Sequence, residues 1–509
     1  MQKVQRNLFI LAASCFILLK IYLIINLYLQ GFPLWCDEML LSKSITLQSF
    51  FKTMTFLQEA QTAPPVFVLL SYINTFIFGI NEYTLRIIPF LSGVLAVFAF
   101  SFQALKMFKT KTAVLAALIL FTFNTPSIYY SAEFKQYSSD ILICILLILS
   151  YGFLTFKNLN AKRTFLYAAA AFFSVLSSFP ALFIIPFIIF LKCLEEKNSP
   201  KQLFFIFFGI FAAGLYILFL FHLRFEASNL DVWRNISERY FLKLSFHSFY
   251  DVFSNFFDYN NLKAVSGLIL CTLGAAAFLF EKNRQALLMI LIIMASCVLS
   301  ILNICPSAER VWLYLTPIFI ILAAKAVELP IFRCSKILKT LKTIVIAGFL
   351  LFSVKSYNVF NFDNINKNFP YDSRKEIKNA CITFLDNRKE GEFITMDYFF
   401  YEFSRFYNIS EKRNLKLDEK FIDFKEIYES EEFLKHLDEF IEQHKNDNFW
   451  IAYSLNWILY GKVPPETIER MLKERNLEYI KKDSSTEDIR LYFVSRDIKT
   501  AGIIRSHTR

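Results

Sequence analysis

With 509 residues, 55% of them hydrophobic, 61 Phe and a formal net charge of +11, the chain is more apolar than a soluble globular protein, for which about 45–50% is usual. That composition excludes an ordinary water-soluble enzyme and points to a polytopic α-helical membrane protein. The basic excess does not point to nucleic acid, because Lys and Arg gather in short loops between apolar runs and no basic cluster is interleaved with aromatics in a recognisable binding module.

In chain order, apolar runs near 8–29, 86–105, 112–127, 139–156, 164–179, 181–193, 202–222, 263–280, 285–302, 311–328 and 343–357 give about eleven expected spans. No small-residue cleavage site follows the first run, so it reads as a retained span. Basic residues recur in alternate loops: Lys3/Arg6, Lys106/Lys109/Lys111, Lys157/Lys162/Arg163, Lys192/Lys197/Lys201, Lys282/Arg284 and Arg333/Lys336/Lys339/Lys342. The positive-inside rule assigns these to the cytoplasm and places the acidic pair Asp37 and Glu38 outside. The stretch "APPVFVLLSYINTFIFG" is apolar, but counting it as a span would put the lysines after Phe108 on the wrong side. It is expected to be a juxtamembrane or re-entrant helix starting at Pro64–Pro65. Phe179–Pro180 reads either as a tight outer hairpin or as a break within one helix.

Beyond about residue 358 the apolar runs shorten and charge rises, which divides the chain into a transmembrane region, 1–357, and a soluble outer region, 358–509. In the latter, "SRKEIKNACITFLDNRK", a helix from about Glu426 to His444, and "PPETIERMLKERN" alternate with short strand candidates "EFITMD", "NFWIAYS", "LEYIKK" and "IRLYFVSR". That alternation favours an α/β domain. The nine Cys form no CxxC and no Cys/His pair at metal spacing, and most lie in apolar runs as small hydrophobes.

Four outward patches carry polar groups at span ends: Asp37 and Glu38; Glu82 and Arg86; Glu133, Lys135 and Tyr137; and Glu309 and Arg310. Singly, the cations can snorkel to the interface and the tyrosines can be belt aromatics. Together they put carboxylates and fixed cations on one face, as transfer from a phospholipid-linked sugar requires. Such a reaction needs a cationic grip on the departing phosphate and a carboxylate to take the acceptor's proton. An ion pump would place its acids in mid-span, where these runs are nearly free of ionisable groups. A transporter or flippase would show related halves, which are not seen. An O-antigen polymerase or ligase would carry its main, arginine-rich outer loop late in the chain.

The ordered set "PLWCDEMLLSKSI", "APPVFVLLSYINTFIFGINEYTLRIIPFLSGVLAV", "YYSAEFKQYSSD" and "ERVWLYLTPIFIILAA" resembles the GT-C superfamily of membrane glycosyltransferases. The similarity is to the branch holding protein O-mannosyltransferases, the lipid A aminoarabinose transferase and lipopolysaccharide-core glycosyltransferases, and it covers residues 8–357. The resemblance implies a GT-C fold with a C-terminal extracytoplasmic domain and an inverting transfer at the outer face of a bacterial inner membrane. The donor would be a polyprenyl-phosphate sugar and the acceptor a glycolipid, glycan or protein. It further implies that Asp37 is the catalytic acid-loop residue with Glu38 beside it, that Arg86 opens the next span, that Glu133, Lys135 and Tyr137 contact substrate, and that Arg310 is a phosphate ligand. Lys135 departs from the pattern, in which Arg is frequent. No cofactor is expected; a divalent metal stays open, although no His stands near these motifs.

Overall fold

In the computed structural model, residues 2–55, 57, 61–154, 160–196, 211, 214, 261–302, 310–329, 371–388, 392–396, 398–413, 430–454, 465–483 and 489–495 are described. The expected spans at 343–357 and, apart from residues 211 and 214, at 202–222 lie outside them, as does Glu309. The chain forms two compact units. One comprises Met1–Gly31, Gln48–Ile77 and Tyr83–Asn361, and the other Phe32–Leu47, Phe78–Glu82 and Phe362–Arg509.

The first unit is helical. Its helices are α1 (Gln2–Leu29), α3 (Phe50–Thr55), α4 (Pro65–Phe78), α5 (Glu82–Met107), α6 (Lys111–Thr122), α7 (Thr125–Tyr129), α8 (Tyr137–Phe153), α9 (Ala161–Ser177), α10 (Ala181–Glu195), α11 (Asn261–Phe280), α12 (Arg284–Ile301) and α13 (Thr316–Lys325). Among the described residues, α1, α5 and α12 are each long and apolar enough to cross a membrane. The stretch beginning at Pro64–Pro65 is the single 14-residue helix α4. Helices α9 and α10 are separate, and Ala171, Val175, Ala181 and Ile185 share one apolar cluster.

The run expected as one span at 112–127 is broken, with α6 and the following Thr125–Ala132 helical stretch bent by 60°. Asn124 stops α6 by capping α7, its Oδ1 accepting from Ser127 N–H at 3.1 Å, and Pro126 follows in the first turn. At the break Phe121 O keeps only a long backbone bond, from Asn124 N–H at 3.4 Å, in a medium that offers no water. Lys20, fully buried in α1, supplies the donors: its Nζ hydrogen-bonds to Phe121 O and, at 2.6 Å, to Ser127 Oγ, 4.0 Å from the Phe121 ring centroid. The ammonium is thereby desolvated but partnered, and it fixes the break at one depth in α1.

The α13 helix is buried on every side. Gly274 of α11 lets it come that close, since a Cβ there would stand 1.7 Å from Leu322 O. At the end of α13, fully buried Lys325 pairs with Glu328 at 2.7 Å and Glu281 at 2.9 Å, and Lys109 pairs with Glu281 at 3.1 Å. The second Glu328 oxygen accepts from the N–H groups of Lys109 and Thr110 at 2.7 and 2.6 Å, at the start of α6. One ion network thus ties α6, α11 and α13 within the basic-loop region.

In the second unit, α2 (Cys36–Leu47) joins α14 (Tyr371–Asn387), α15 (Tyr398–Ser410), α16 (Ser430–His444), α17 (Pro465–Glu474) and the strands β1 (Phe393–Met396), β2 (Phe449–Ser454), β3 (Tyr479–Asp483) and β4 (Ile489–Val494). The sheet order is β1-β2-β4-β3, with β1 parallel to β2 and both remaining pairs antiparallel. Strand alternation serves two faces. Phe449, Ile451, Tyr492 and Val494 meet Leu437, Ile441, Ile468 and Leu472 of α16 and α17. Trp450 faces the other way, its ring 5.6 Å from that of Phe384 in α14. Helices therefore cover both faces of the sheet.

Burial alone would raise the Glu281 carboxyl, but its hydrogen bonds to Lys325 and Lys109 hold it below the ordinary value. A carboxylate depressed on folding adds stability above its unfolded pKa and loses it as pH falls through the folded one. Between about pH 6 and about pH 3, the wild type is expected to lose more thermal stability than Glu281→Gln, read from unfolding temperatures of the detergent-solubilised protein.

Candidate active site

The sequence-predicted residues divide between the two units: Asp37 and Glu38 fall in the second, and Arg86, Glu133, Lys135, Tyr137 and Arg310 in the first. Before the acidic pair, Gly31 ends α1 in the left-handed region at φ +57°, where its N–H donates to Tyr28 O at 3.2 Å. A Cβ at that position would also meet the Tyr83 hydroxyl at 2.2 Å.

Read in sequence as loop charges, Asp37 and Glu38 occupy the first turn of α2. Acids are favoured there because unpaired backbone N–H groups give a helix start its positive character. The two then part company. Glu38 is fully buried, its Oε2 accepting from Trp35 N–H at 3.1 Å, which is the back-reaching half of a capping box. The same oxygen lies 3.9 Å from Nη1 of Arg374, at the outer limit of an ion pair, and the Arg374 guanidinium lies over the Trp35 ring at 5.8 Å. Asp37 keeps intermediate exposure. Further along α2, Lys43 pairs at 2.6 Å with Glu402 of α15, which Arg405 also contacts, and Glu82 pairs at 2.6 Å with Lys378 of α14. Helix α2 is thus tied to α14 and α15 through two salt bridges, and a third ties Glu82, at the start of α5, to α14. Sequence reasoning missed Arg374, Lys378 and Glu402, because nothing in local spacing links residue 38 with residue 374.

In the first unit Glu133, Lys135 and Tyr137 are brought together on one buried connection into α8. Lys135 Nζ donates to Gln61 Oε1 at 2.6 Å, so the segment before α4 reaches the same cation. Phe134 stacks on Phe67 of α4 at 5.7 Å, and Tyr130 meets Tyr137 edge to face at 5.2 Å. Gly93 of α5 is packed against Ser131, where a Cβ would come to 2.6 Å. Arg86 is buried in the second turn of α5. Arg310 is half-buried in the turn before the 3-10 segment Leu313–Leu315, which packs on α8 and is tied to α12 by Tyr314 OH and Ser296 Oγ at 2.6 Å. Gln61, just before the proline pair, is the member that sequence reasoning missed, whereas Tyr130 reads there only as a belt aromatic. Among the described residues, no group of three or more His, Cys, Asp or Glu could hold a metal ion.

If Glu38 is a structural anchor, then Glu38→Gln, which keeps an acceptor for Trp35 but loses the charge, should lower stability by about 1–3 kcal/mol. Arg374→Met should cost about as much, and the double variant little more than either single change. Thermal unfolding of the three variants reads the coupling; additive losses would deny the pair.

No family model and no curated protein matches the sequence. Solved structures do. Apo ArnT from Cupriavidus metallidurans superposes with a TM-score of 0.57 at 10% identity, covering 95% of this chain and 98% of that one. The same protein bound to undecaprenyl phosphate gives 0.56 at 10% identity, over 97% and 98%. The Archaeoglobus fulgidus oligosaccharyltransferase gives 0.48 at 12% identity, over 92% and 72%. Over nearly its whole length, the chain has the fold of ArnT.

Proposed function

We propose that the protein is an inverting glycosyltransferase of a bacterial inner membrane, moving a sugar from a polyprenyl-phosphate donor to a lipid, glycan or protein acceptor at the outer face. The observation that carries this reading is the different fate of two adjacent acids. Glu38 is consumed by a cap and an ion pair, while Asp37, one residue earlier in the same turn, keeps solvent access. Likeness of fold to a protein crystallised with undecaprenyl phosphate supports the donor class.

In the proposed reaction Asp37 removes the proton of an acceptor hydroxyl or amine as that atom attacks the anomeric carbon. The bond from that carbon to the phosphate oxygen breaks, its electron pair stays on the phosphate, and the configuration inverts. Arg310 offers a fixed fork of donors to the growing phosphate charge, and Lys135, kept in place by Gln61, adds a point charge. Glu133, Tyr137 and Arg86 orient the substrate. Glu38 acts through the backbone, holding the turn that presents Asp37.

Asp37→Asn keeps the shape of the side chain but cannot take the proton. Turnover in sugar transfer by the purified protein should fall roughly 10²–10⁴-fold, with donor binding largely retained. Near-normal turnover in a well-folded variant would remove Asp37 from the chemistry.

A further inference from the structure

Among the polar side chains of the first unit that are more than nine-tenths buried with an atom that has no hydrogen-bond partner, beside Gln48 and Gln103, are Ser71 Oγ, Gln136 Oε1, Ser138 Oγ, Trp312 Nε1 and Thr316 Oγ1. A buried polar group left unmade costs about 1–3 kcal/mol, so the last five, which fall near one another, need a reason. Their positions supply one. Helices α8 and α12 are pinned together at one end, where Gln285 Nε2 donates to Ile148 O at 3.4 Å and Glu195 accepts from Tyr151 at 2.5 Å and lies 3.9 Å from Arg284.

From that end, Ser138 lies about 15 Å back along α8 and Ser296 about 16 Å forward along α12, at 1.5 Å per residue. The two are therefore level. Ser296 holds Tyr314, and the turn carrying Tyr314 packs on α8 with Trp312 and Thr316 flanking it. At that level the turn flanked by Trp312 and Thr316 packs on α8 near its start, where Gln136 and Ser138 stand. Ser71 approaches from the side, one turn beyond Phe67 on the α4 face that stacks on Phe134.

We infer that these five groups bind the hydroxyls of the donor's sugar ring, next to the Glu133–Tyr137 connection; this rests on the glycosyltransferase reading above. Hydroxyls, an amide oxygen and an indole N–H offer both donors and acceptors without charge, which matches a ring whose every hydroxyl both gives and accepts. An indole also presents an apolar edge to the C–H face of a sugar. The polyprenyl phosphate needs none of these groups, since its charge is met by cations. The five residues therefore select the sugar while leaving the lipid phosphate to Arg310 and Lys135.

The test compares wild type with Ser71→Ala, Ser138→Ala, Trp312→Phe and Thr316→Val. Each binds undecaprenyl phosphate and the same lipid carrying glucose, galactose, mannose, N-acetylglucosamine or 4-aminoarabinose. At least one glycosylated lipid should bind wild type more tightly than the bare lipid. That advantage should shrink roughly 3–10-fold in the variants with bare-lipid affinity unchanged, and Ser71→Ala and Ser138→Ala should unfold, ligand-free, at a temperature no lower than wild type. Absence of a sugar advantage in wild type, its survival in all four variants, or destabilisation by the two serine changes would overturn the inference. Asp37→Asn separates the two proposals, since it should abolish transfer while keeping the sugar advantage.

Discussion

The acidic turn depends on one buried carboxylate. Glu38 has no solvent, so its charge depends on partners, Trp35 N–H and the Arg374 guanidinium among them. Removing either partner weakens the setting of the buried charge. The C-terminal α/β unit is thereby given a task that its sheet alone would not suggest: α14 and α15 are the fixed side of the turn that carries Asp37. Lys43 with Glu402 adds a second tie on α2, and Glu82 with Lys378 fixes the start of α5 to α14, all through side chains mostly shielded from water and from screening salt.

The membrane unit solves a different problem, that of irregular backbone in a medium without water. Breaking the helix at Asn124–Pro126 turns the chain toward the Glu133–Tyr137 connection, at the cost of weaker backbone hydrogen bonding at the end of α6. Lys20 repairs that cost from a neighbouring helix. An intramembrane lysine would ordinarily suggest ion conduction, but here it reads as a structural donor. At the other end of the unit, Glu328 bridges Lys325 and the start of α6, and Glu195 gathers Tyr151, Lys192 and Arg284. Both clusters fix helix ends, and the depth of the polar residues on α8 and α12 follows from them.

Polar groups in the first unit fall into two kinds. Satisfied ones, such as Lys20, Lys325 and Ser296, hold helices together. Unsatisfied ones include Gln136 and Ser138 at the start of α8 and Trp312 and Thr316 on the turn that packs on it, and buried groups of that kind call for an explanation.

By itself, the sequence determined what composition and local order can determine. Apolar length marked the helices that became α1, α5 and α12, and Pro64–Pro65 marked the start of α4. Alternating patterns marked the four strands, and ordered motifs carried the likeness to GT-C enzymes. It also put Glu133, Lys135 and Tyr137 on one short connection, because neighbours in sequence are neighbours in space. What it could not rank was the acidic pair. Asp37 and Glu38 are chemically alike and adjacent, and only the helical turn decides that one points into Trp35 and Arg374 while the other keeps its access to solvent. Likewise the break at Asn124–Pro126 lies inside an unbroken apolar run, and its tolerance depends on Lys20, more than a hundred positions away in sequence. Long-range pairing of buried charges is set by tertiary packing, and no local pattern encodes it.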